Sequence, residues 1–284
     1  MEVLKMNRAY YKSNPYSIIK GHSINYVDYN TVIPEVNISL KNSKTGNVLA
    51  FNLSPETSCD HRCECYKGYT DPDTGKNIIP CYACGGCYNF SSNQAIYAEN
   101  LAFFLKHTSD EFIDEMVKRI KAHKLRKLFR WFTSGDILNK RFFRCMIEIA
   151  RRCPSVKFWT YTKKYGIVNA YVREYGLDAI PENFTIVFSH WLNNDGTYFP
   201  MDNPFAFPTS EFIPLGMEKL AESATHICPC SDPDSLETCE TCEHACHTLK
   251  HGESMALLEH STERTKDRDK ALHDSKAAKA AKAK

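Results

Sequence analysis

The stretch that decides the fold is residues 128–162, LFRWFTSGDILNKRFFRCMIEIARRCPSVKFWTYT. Its aromatic-rich ends predict strands over 128–132 and 156–162, and the apolar spacing between them predicts a helix over 138–152. A strand, a helix and a second strand in this order form a right-handed crossover between parallel strands. The stretch therefore predicts a parallel sheet with helices packed on it.

The same alternation continues on both sides of this unit. Strands are predicted over 48–53 and 184–191, helices from Ser91, after Thr108 and over 166–175, and a weaker helix–strand pair within 215–227. Capping-box spacing predicts the starts of the first two helices, through Gln94 and Glu111. About five strands are too few to close an eight-stranded barrel. The predicted fold class is α/β, either a partial (β/α) barrel or an open, mostly parallel sheet, with cysteine-rich loops at the C-terminal ends of the strands.

Composition sets the class of protein and its divisions. The chain has 284 residues, of which 43% are hydrophobic and 25% charged, as is typical of globular proteins. We expect no membrane segment, because no apolar run approaches the roughly 20 residues that span a bilayer, and a cytoplasmic location, because the N-terminus is too polar for a signal peptide. The predicted divisions are an irregular N-terminal extension (1–45), an α/β core (46–227), a cysteine-rich metal-binding segment (228–263) and a Lys/Ala-rich tail (264–284).

Eleven of the thirteen cysteines fall in two clusters. The first contains Cys59, Cys63, Cys65, Cys81, Cys84 and Cys87, and the second contains Cys228, Cys230, Cys239, Cys242 and Cys246. In a reducing compartment, dense cysteine indicates metal ligation or redox chemistry before disulfides. Three sulfurs at x2 spacings favour an iron–sulfur cluster over zinc, which is commonly bound by two matched pairs. The second cluster suits either a further iron–sulfur cluster or one structural zinc ion.

Two other segments follow predicted strands, where ligands collect in parallel α/β folds. Ser134, Gly135 and Asp136 follow the second strand, and His190 ends the fourth. We predict that these four residues bind a cofactor. The alternatives are a Gly-Asp turn that caps the next helix and a packed histidine.

The charge is distributed unevenly. Fifteen Lys or Arg residues and two acids lie between Lys118 and Lys164, a local balance of +13 in a chain whose net charge is +2. This asymmetry favours nucleic acid or another polyanion as a partner, or an intramolecular pairing with the acidic flanks. The predicted contacts are Lys121, Lys124, Lys127, Arg130, Lys163 and Lys164.

These motifs, in this order, resemble a known family. Over roughly 45–250 the chain is similar to the phage "gene product eighty-eight" family. The motifs that carry this similarity are residues 48–53 followed by Ser58-Cys59, then Cys87-Tyr88-Asn89, Ser134-Gly135-Asp136, Tyr161-Thr162-Lys163-Lys164 and the final cysteines. The resemblance implies a phage-encoded protein of the host cytoplasm and implies no particular activity.

The layout also resembles radical SAM enzymes, which carry a Cys-x3-Cys-x2-Cys loop after the first strand. Cys59 and Cys63 match the first two ligands, but Tyr66 stands where the third belongs. The resemblance implies a [4Fe–4S] cluster and leaves binding of S-adenosylmethionine (SAM) open.

Two hypotheses follow. The first is an iron–sulfur protein with one or two clusters, which acts as a redox or radical-SAM-like enzyme on a nucleic-acid-related substrate. The second is a non-enzymatic, zinc-stapled module that binds nucleic acid or a host protein.

Overall fold

The computed structural model describes residues 34–40, 45–70, 75, 77–78, 80–84, 88, 90–193, 195–213, 218–232 and 235–258. The helices are α1 (Pro55–Ser58), α2 (Glu64–Lys67), α3 (Ser91–Lys106), α4 (Ser109–Ala122), α5 (Lys140–Arg152) and α6 (Tyr165–Tyr175). The strands are β1 (Leu49–Phe51), β2 (Tyr69–Thr70), β3 (Asn77–Ile78), β4 (Leu128–Trp131), β5 (Lys157–Thr162), β6 (Phe184–Trp191), β7 (Thr209–Ile213), β8 (His226–Ile227) and β9 (Ser254–Leu258).

Seven of these strands form one sheet in the order β1-β4-β5-β6-β7-β9-β8. Every neighbouring pair in it is parallel. β1 and β8 are the two edges, so the sheet is open. The predicted α/β class with a mostly parallel sheet is confirmed, in its open form. β2 and β3 form a separate antiparallel pair.

The four long helices cover one face of the sheet. β1, β4, β5 and β6 follow one another both along the chain and across the sheet, and right-handed crossovers then place all their helices on the same side. Alternate strand residues such as Phe51, Trp131 and Phe158 point to that side and pack with Phe142 of α5 and Phe112 of α4. This aromatic-rich layer is the main core.

The opposite face carries a second, smaller apolar cluster. Trp159 and Val187, which alternate with the core residues of β5 and β6, pack there with Met255 of β9. Cys246 and Leu249 complete the cluster from outside the sheet. The C-terminal cysteine segment therefore covers the face that the helices leave open.

Several predicted elements differ from the structure in detail. The helix from Ser91 is present, but Phe90 is its N-cap and Gln94 instead donates to the Tyr88 carbonyl, so the capping box predicted there is wrong. The box of Thr108 and Glu111 is present. Asn139, not Asp136, caps α5. The weaker helix–strand pair is a 3-10 helix (Glu218–Ser223) followed by β8, and the prediction omitted β7 and β9.

The predicted N-terminal extension is described only from residue 34, and the tail over 264–284 lies outside the described residues. Within the extension, Ser39 bridges to Ala50 and so covers the edge of β1. None of the helices in the described ranges is long and apolar enough to cross a membrane.

Candidate metal centre

Two turns that follow β1 and β4 are tied together by buried hydrogen bonds. The side-chain carbonyl of Asn52, just after β1, accepts from the Thr133 N–H (2.7 Å) and hydroxyl (2.8 Å) and from the Ser134 N–H (3.2 Å). The Ser134 hydroxyl donates to the Leu53 carbonyl (3.0 Å). Buried polar groups that are satisfied in this way fix a single loop geometry. The two strand ends thus form one rigid platform.

Gly135 lies at the closest approach of the two turns. Its φ is +94°, and an added Cβ would lie 2.7 Å from the Leu53 carbonyl oxygen and 2.8 Å from the Ser58 hydroxyl. The same hydroxyl accepts from the Asp136 N–H (3.0 Å) and donates to the Ser54 carbonyl (2.7 Å). The Ser-Gly-Asp segment is therefore required by the packing of these turns. Its predicted role in cofactor binding stays a prediction.

Asp136 joins this platform to the end of β5. Its buried carboxylate accepts from the Ile137 N–H (2.7 Å), the Thr162 hydroxyl (2.6 Å) and the Lys163 N–H (2.9 Å). Burial raises the pKa of Asp136, although these three hydrogen bonds lower it. The carboxylate thus orients Lys163, whose ammonium lies 5.1 Å from the centre of the Trp191 ring.

The first cysteine cluster is built on top of this platform. Cys59 follows α1, whose first turn begins at Pro55 and is capped by Ser54. Cys63 caps α2 and Cys65 lies within it. The β2–β3 hairpin then reverses the chain, so that the Cys81 N–H donates to the Cys65 carbonyl (2.9 Å). The hairpin thus brings together two cysteines that lie sixteen residues apart in the sequence.

The thiols of this cluster interact with one another. The Cys81 thiol forms hydrogen bonds with Cys65, which lowers its pKa, and with Cys84, which raises it; together with burial they leave the pKa at about 11. Burial raises the pKa of Cys59, and the neighbouring Asp136 and Cys81 raise it further. The nearby Lys163 ammonium, by contrast, lowers the pKa of Cys59 and of Cys65. The structure therefore brings together five thiols, those of Cys59, Cys63, Cys65, Cys81 and Cys84. Lys163 lies beside three of them, Cys59, Cys63 and Cys65.

The described cysteines of the first cluster are not arranged as a complete set of metal ligands. Within the described ranges, no group of three or more His, Cys, Asp or Glu side chains is arranged to hold a metal ion. Cys87, the third cysteine of the x2 series, lies outside those ranges. All twelve described cysteines are free thiols. The donor set is the soft sulfur that iron–sulfur clusters and zinc require, so the chemistry of the residues fits such a group.

Tyr66 accounts for the departure from the radical SAM pattern. It is buried in α2, its hydroxyl donates to the Glu56 carboxylate, and its ring stacks on His61 at 4.3 Å. The position that would carry the third thiolate is thus filled by a packed aromatic side chain.

The second cysteine cluster lies across the face of the sheet. We expected it at the same strand ends as the first, but the Thr185 hydroxyl, near the start of β6, donates to the His247 carbonyl (2.8 Å). A hydrogen bond with Cys230 and burial raise the pKa of Cys228. Burial also raises the pKa of Cys246, to about 12, and Cys228 and Cys242 contribute to that rise. The structure brings these four cysteines together, on a different part of the sheet from the first cluster.

Arg130 of β4 lies between the two clusters. Its guanidinium carbon is 4.9 Å from the centre of the Tyr161 ring on β5, and the Tyr161 hydroxyl forms a hydrogen bond with the Cys246 thiol. Burial alone would lower the pKa of Arg130, but Tyr82, Tyr161 and Cys239 hold it above its ordinary value. Tyr82, which follows Cys81, donates to the Thr133 carbonyl (2.9 Å).

His190 lies apart from these groups. It alternates with Trp191 along β6, so the two side chains leave the sheet on opposite faces. Its Nδ1 is 3.2 Å from the Glu211 carboxylate, and its ring stacks on Tyr198 at 4.0 Å. Any cofactor that His190 binds would therefore lie on the opposite face of the sheet from Trp191 and Lys163. The predicted cofactor role of His190 stays a prediction.

The six predicted nucleic-acid contacts do not form one surface. Three of them lie near the edge of the sheet where the strands begin. These are Lys121, at the end of α4, and Lys124 and Lys127, just before β4. Lys163 and Lys164 lie where β5 ends, and Arg130 lies between. Other bases of this stretch are paired with acids, as Arg119 is with Glu115 (2.7 Å) and Arg152 is with Asp114 (2.7 Å). Part of the charge asymmetry is thus neutralised within the protein.

Sequence reasoning missed two residues that organise the site. Asn52 is the one polar residue in the apolar run 48–53, and that exception is a signal of a structural hydrogen bond. Tyr82 directly follows a clustered cysteine, and no pattern distinguishes it from the neighbouring aromatic residues.

Comparison with known proteins places the chain in a family. A sequence model described as Gene product 88 matches residues 30–204, about three fifths of the chain, so the chain belongs to this phage family. The match includes the first cysteine cluster, Asp136 and Lys163. It ends before the second cluster, which our expected range of 45–250 had included. Searches of curated proteins and of solved structures find no significant match.

Proposed function

We propose that this member of the Gene product 88 family is an iron–sulfur protein of the host cytoplasm, which carries out a redox or radical reaction on a nucleic-acid-related substrate. The first cysteine cluster would hold a [4Fe–4S] centre at the ends of β1, β4 and β5. The ligand candidates among the described residues are Cys59, Cys63, Cys65, Cys81 and Cys84, and Cys87 is a further candidate from the sequence.

One observation carries this proposal. Thiols from separate loops interact directly, and the pair formed by Cys65 and Cys81 depends on a hairpin that returns the chain to the same place. A thiolate cluster carries negative charge, and Lys163 supplies a cation that interacts with Cys59, Cys63 and Cys65. When bound, an iron–sulfur centre would supply electron transfer. The chain supplies the thiols, the cation and the rigid platform of Asn52, Gly135 and Asp136.

The test is the metal content of protein purified without oxygen. We expect brown protein with broad absorbance near about 400 nm, as cysteinyl iron–sulfur clusters show, and iron and sulfide in matching amounts. The C81A variant should lose most of both. The matched control is C153A, since Cys153 is a buried cysteine at the end of α5, outside both clusters. Colourless protein with stoichiometric zinc, or equal iron in both variants, would contradict the proposal.

A zinc-stapled module is the second candidate, and the second cysteine cluster favours it. Cys246 is buried in the apolar cluster that covers the sheet, and Cys228 and Cys239 pack against it. In the described part of 228–253, two short 3-10 helices are the only regular elements, so a metal staple would stabilise this segment. In this case zinc removal should lower the melting temperature, and C242A should do the same. If the melting temperature is unchanged by a strong chelator, the staple is excluded.

Substrate and SAM are tested separately. Titration of SAM into reduced, iron-loaded protein distinguishes a radical enzyme, which gives a binding isotherm, from a plain redox centre, which gives none. Affinity for single-stranded DNA that falls steeply with salt would support a nucleic-acid partner, because phosphate contacts release counterions.

A further inference from the structure

Arg130 is a half-buried cation whose terminal nitrogens have no partner in the described part of the chain. Its Nε donates to the Phe132 carbonyl (3.2 Å), and one face of its guanidinium lies over the Tyr161 ring. No carboxylate in the described ranges pairs with it. Removing a charge from water without a counter-charge is costly. Tyr82, Tyr161 and Cys239 keep the pKa of Arg130 above its ordinary value, and its two terminal nitrogens remain available to an anion that is not one of these residues.

The chemistry of the guanidinium limits what that anion is. With one face on Tyr161, the nitrogens at its edge remain available as a planar fork. Such a fork binds the two oxygens of a phosphate or a carboxylate at once. The guanidinium interacts with Tyr82 of the first cysteine loop and with Cys239 and Cys246 of the second cluster.

An exposed aromatic ring stands beside this cation. Tyr82 is 60% exposed although its hydroxyl is bonded to Thr133, and its ring meets that of Tyr88 edge-on at 5.3 Å. Tyr82 and Arg130 donate to the carbonyls of neighbouring residues, Thr133 and Phe132, and Tyr82 also interacts electrostatically with Arg130. Proteins that bind single-stranded nucleic acid combine these two features, because the rings stack on bases and the cations pair with phosphates.

Three arginines on the helix side of the sheet differ from Arg130 in their hydrogen bonds. Arg141, Arg144 and Arg151 line a cavity of about 570 Å³ between α4, α5 and α6. Each is already bonded, to the Phe104 carbonyl, the Glu174 carboxylate and the Ala179 carbonyl respectively. Each of them therefore has at least one terminal nitrogen engaged within the fold, whereas Arg130 uses only its Nε.

We propose that Arg130 and Tyr82 form a nucleotide subsite, in which Arg130 binds a phosphate group and Tyr82 stacks on the base. This inference deepens the proposed function, on which it rests for the role of the nucleotide as substrate. The phosphate belongs to a free nucleotide or to the end of a strand, and the chemistry is the same in both.

The experiment is calorimetric titration of the full chain with inorganic phosphate, with adenosine monophosphate and with a 5′-phosphorylated ten-residue oligothymidylate. The variant R130Q should weaken all three about tenfold to a hundredfold, as expected for the loss of charged hydrogen bonds. Y82A should weaken only the two ligands that carry a base, by about fivefold to a hundredfold. Tighter binding of either the monophosphate or the oligonucleotide identifies the source.

Controls separate the subsite from the metal centre. R173Q removes the same charge from an exposed arginine on α6 that is paired with Asp202, and it should leave all affinities unchanged. R130K keeps the charge but loses the fork, and should bind phosphate more weakly than the natural protein. Iron, sulfide and zinc are measured in each preparation.

The outcomes are distinct. If R130Q retains its metal and loses phosphate affinity, the subsite is supported. If no preparation contains iron but binding still depends on Arg130 and Tyr82, the subsite stands and the proposed redox function fails. If R130Q loses metal while its phosphate affinity is unchanged, or R173Q weakens binding equally, the inference is overturned.

Discussion

Replacing Gly135 by alanine tests whether the platform under the first cysteine cluster is as tightly packed as the structure shows. At φ +94° a non-glycine residue is strained by about 1–3 kcal/mol. The added methyl group would also lie 2.7 Å from the Leu53 carbonyl oxygen and 2.8 Å from the Ser58 hydroxyl. Relief of that overlap costs typically about 1–3 kcal/mol. We expect G135A to lower the free energy of unfolding by about 2–6 kcal/mol.

A matched variant isolates the two contributions. Gly176, after α6, has φ +86°, and an added Cβ there would meet nothing within 4 Å. G176A therefore carries the backbone strain alone. The difference between the two variants, about 1–3 kcal/mol, is the cost of the close approach between the turns.

Urea unfolding followed by circular dichroism measures this difference. With a slope of about 2 kcal/mol per molar urea, a difference of about 2 kcal/mol separates the two midpoints by about 1 M. If the first cluster holds iron as proposed, the iron content should fall in G135A and not in G176A, because only Gly135 lies in the platform. Equal midpoints for the two variants would refute the reasoning, since they would show that the turns can separate without cost.

Three further predictions concern the folded framework. T108A removes the capping box at the start of α4 and should cost about 1 kcal/mol in urea unfolding, while T108S should restore the stability. N52A leaves buried N–H groups after β4 without an acceptor and should cost about 2–4 kcal/mol; N52D keeps the acceptor oxygen and should cost less. F142A opens a cavity among the aromatic rings of the core and should cost about 3–5 kcal/mol, whereas L125S, at a 93% exposed position, should change stability by less than about 0.5 kcal/mol.

The sequence predicted the first four strands of the sheet because their patterns are strong and local. β6 was predicted with the bounds that the structure has, since eight residues of strand-forming type stand between clear turns. β9 was not predicted. Its residues, SMALL, are mostly good helix formers, and they form a strand because β7 and β8 offer two parallel partners. The spacing of apolar residues within a segment does not reveal that distant strands will pair with it.

The candidate site was predicted in its parts and not in its arrangement. Spacing identified both cysteine clusters and the Ser134–Asp136 turn, because unusual residue types stand out in a sequence. It could not place the second cluster, because a buried thiol packs as a small apolar group and Cys246 accordingly lies in an apolar cluster on the sheet. It also treated the basic stretch as one surface, although parallel strands carry Lys127 to one end of the sheet and Lys163 to the other.

The arrangement has a consequence for any chemistry at the first cluster. Residues two apart in a strand face the same way, and neighbouring strands in register bring such positions side by side. Arg130 is in register with Trp159 of β5, and Tyr161, two residues further along β5 on the same face, is its diagonal neighbour. Tyr82 approaches this side from the loop of the first cluster. Tyr82 interacts electrostatically with both Cys81 and Arg130, and the Tyr161 hydroxyl, whose ring lies against the Arg130 guanidinium, forms a hydrogen bond with the Cys246 thiol. Because Arg130 interacts with residues of both cysteine segments, we expect the affinity of Arg130 for an anion to depend on the charge of either cluster.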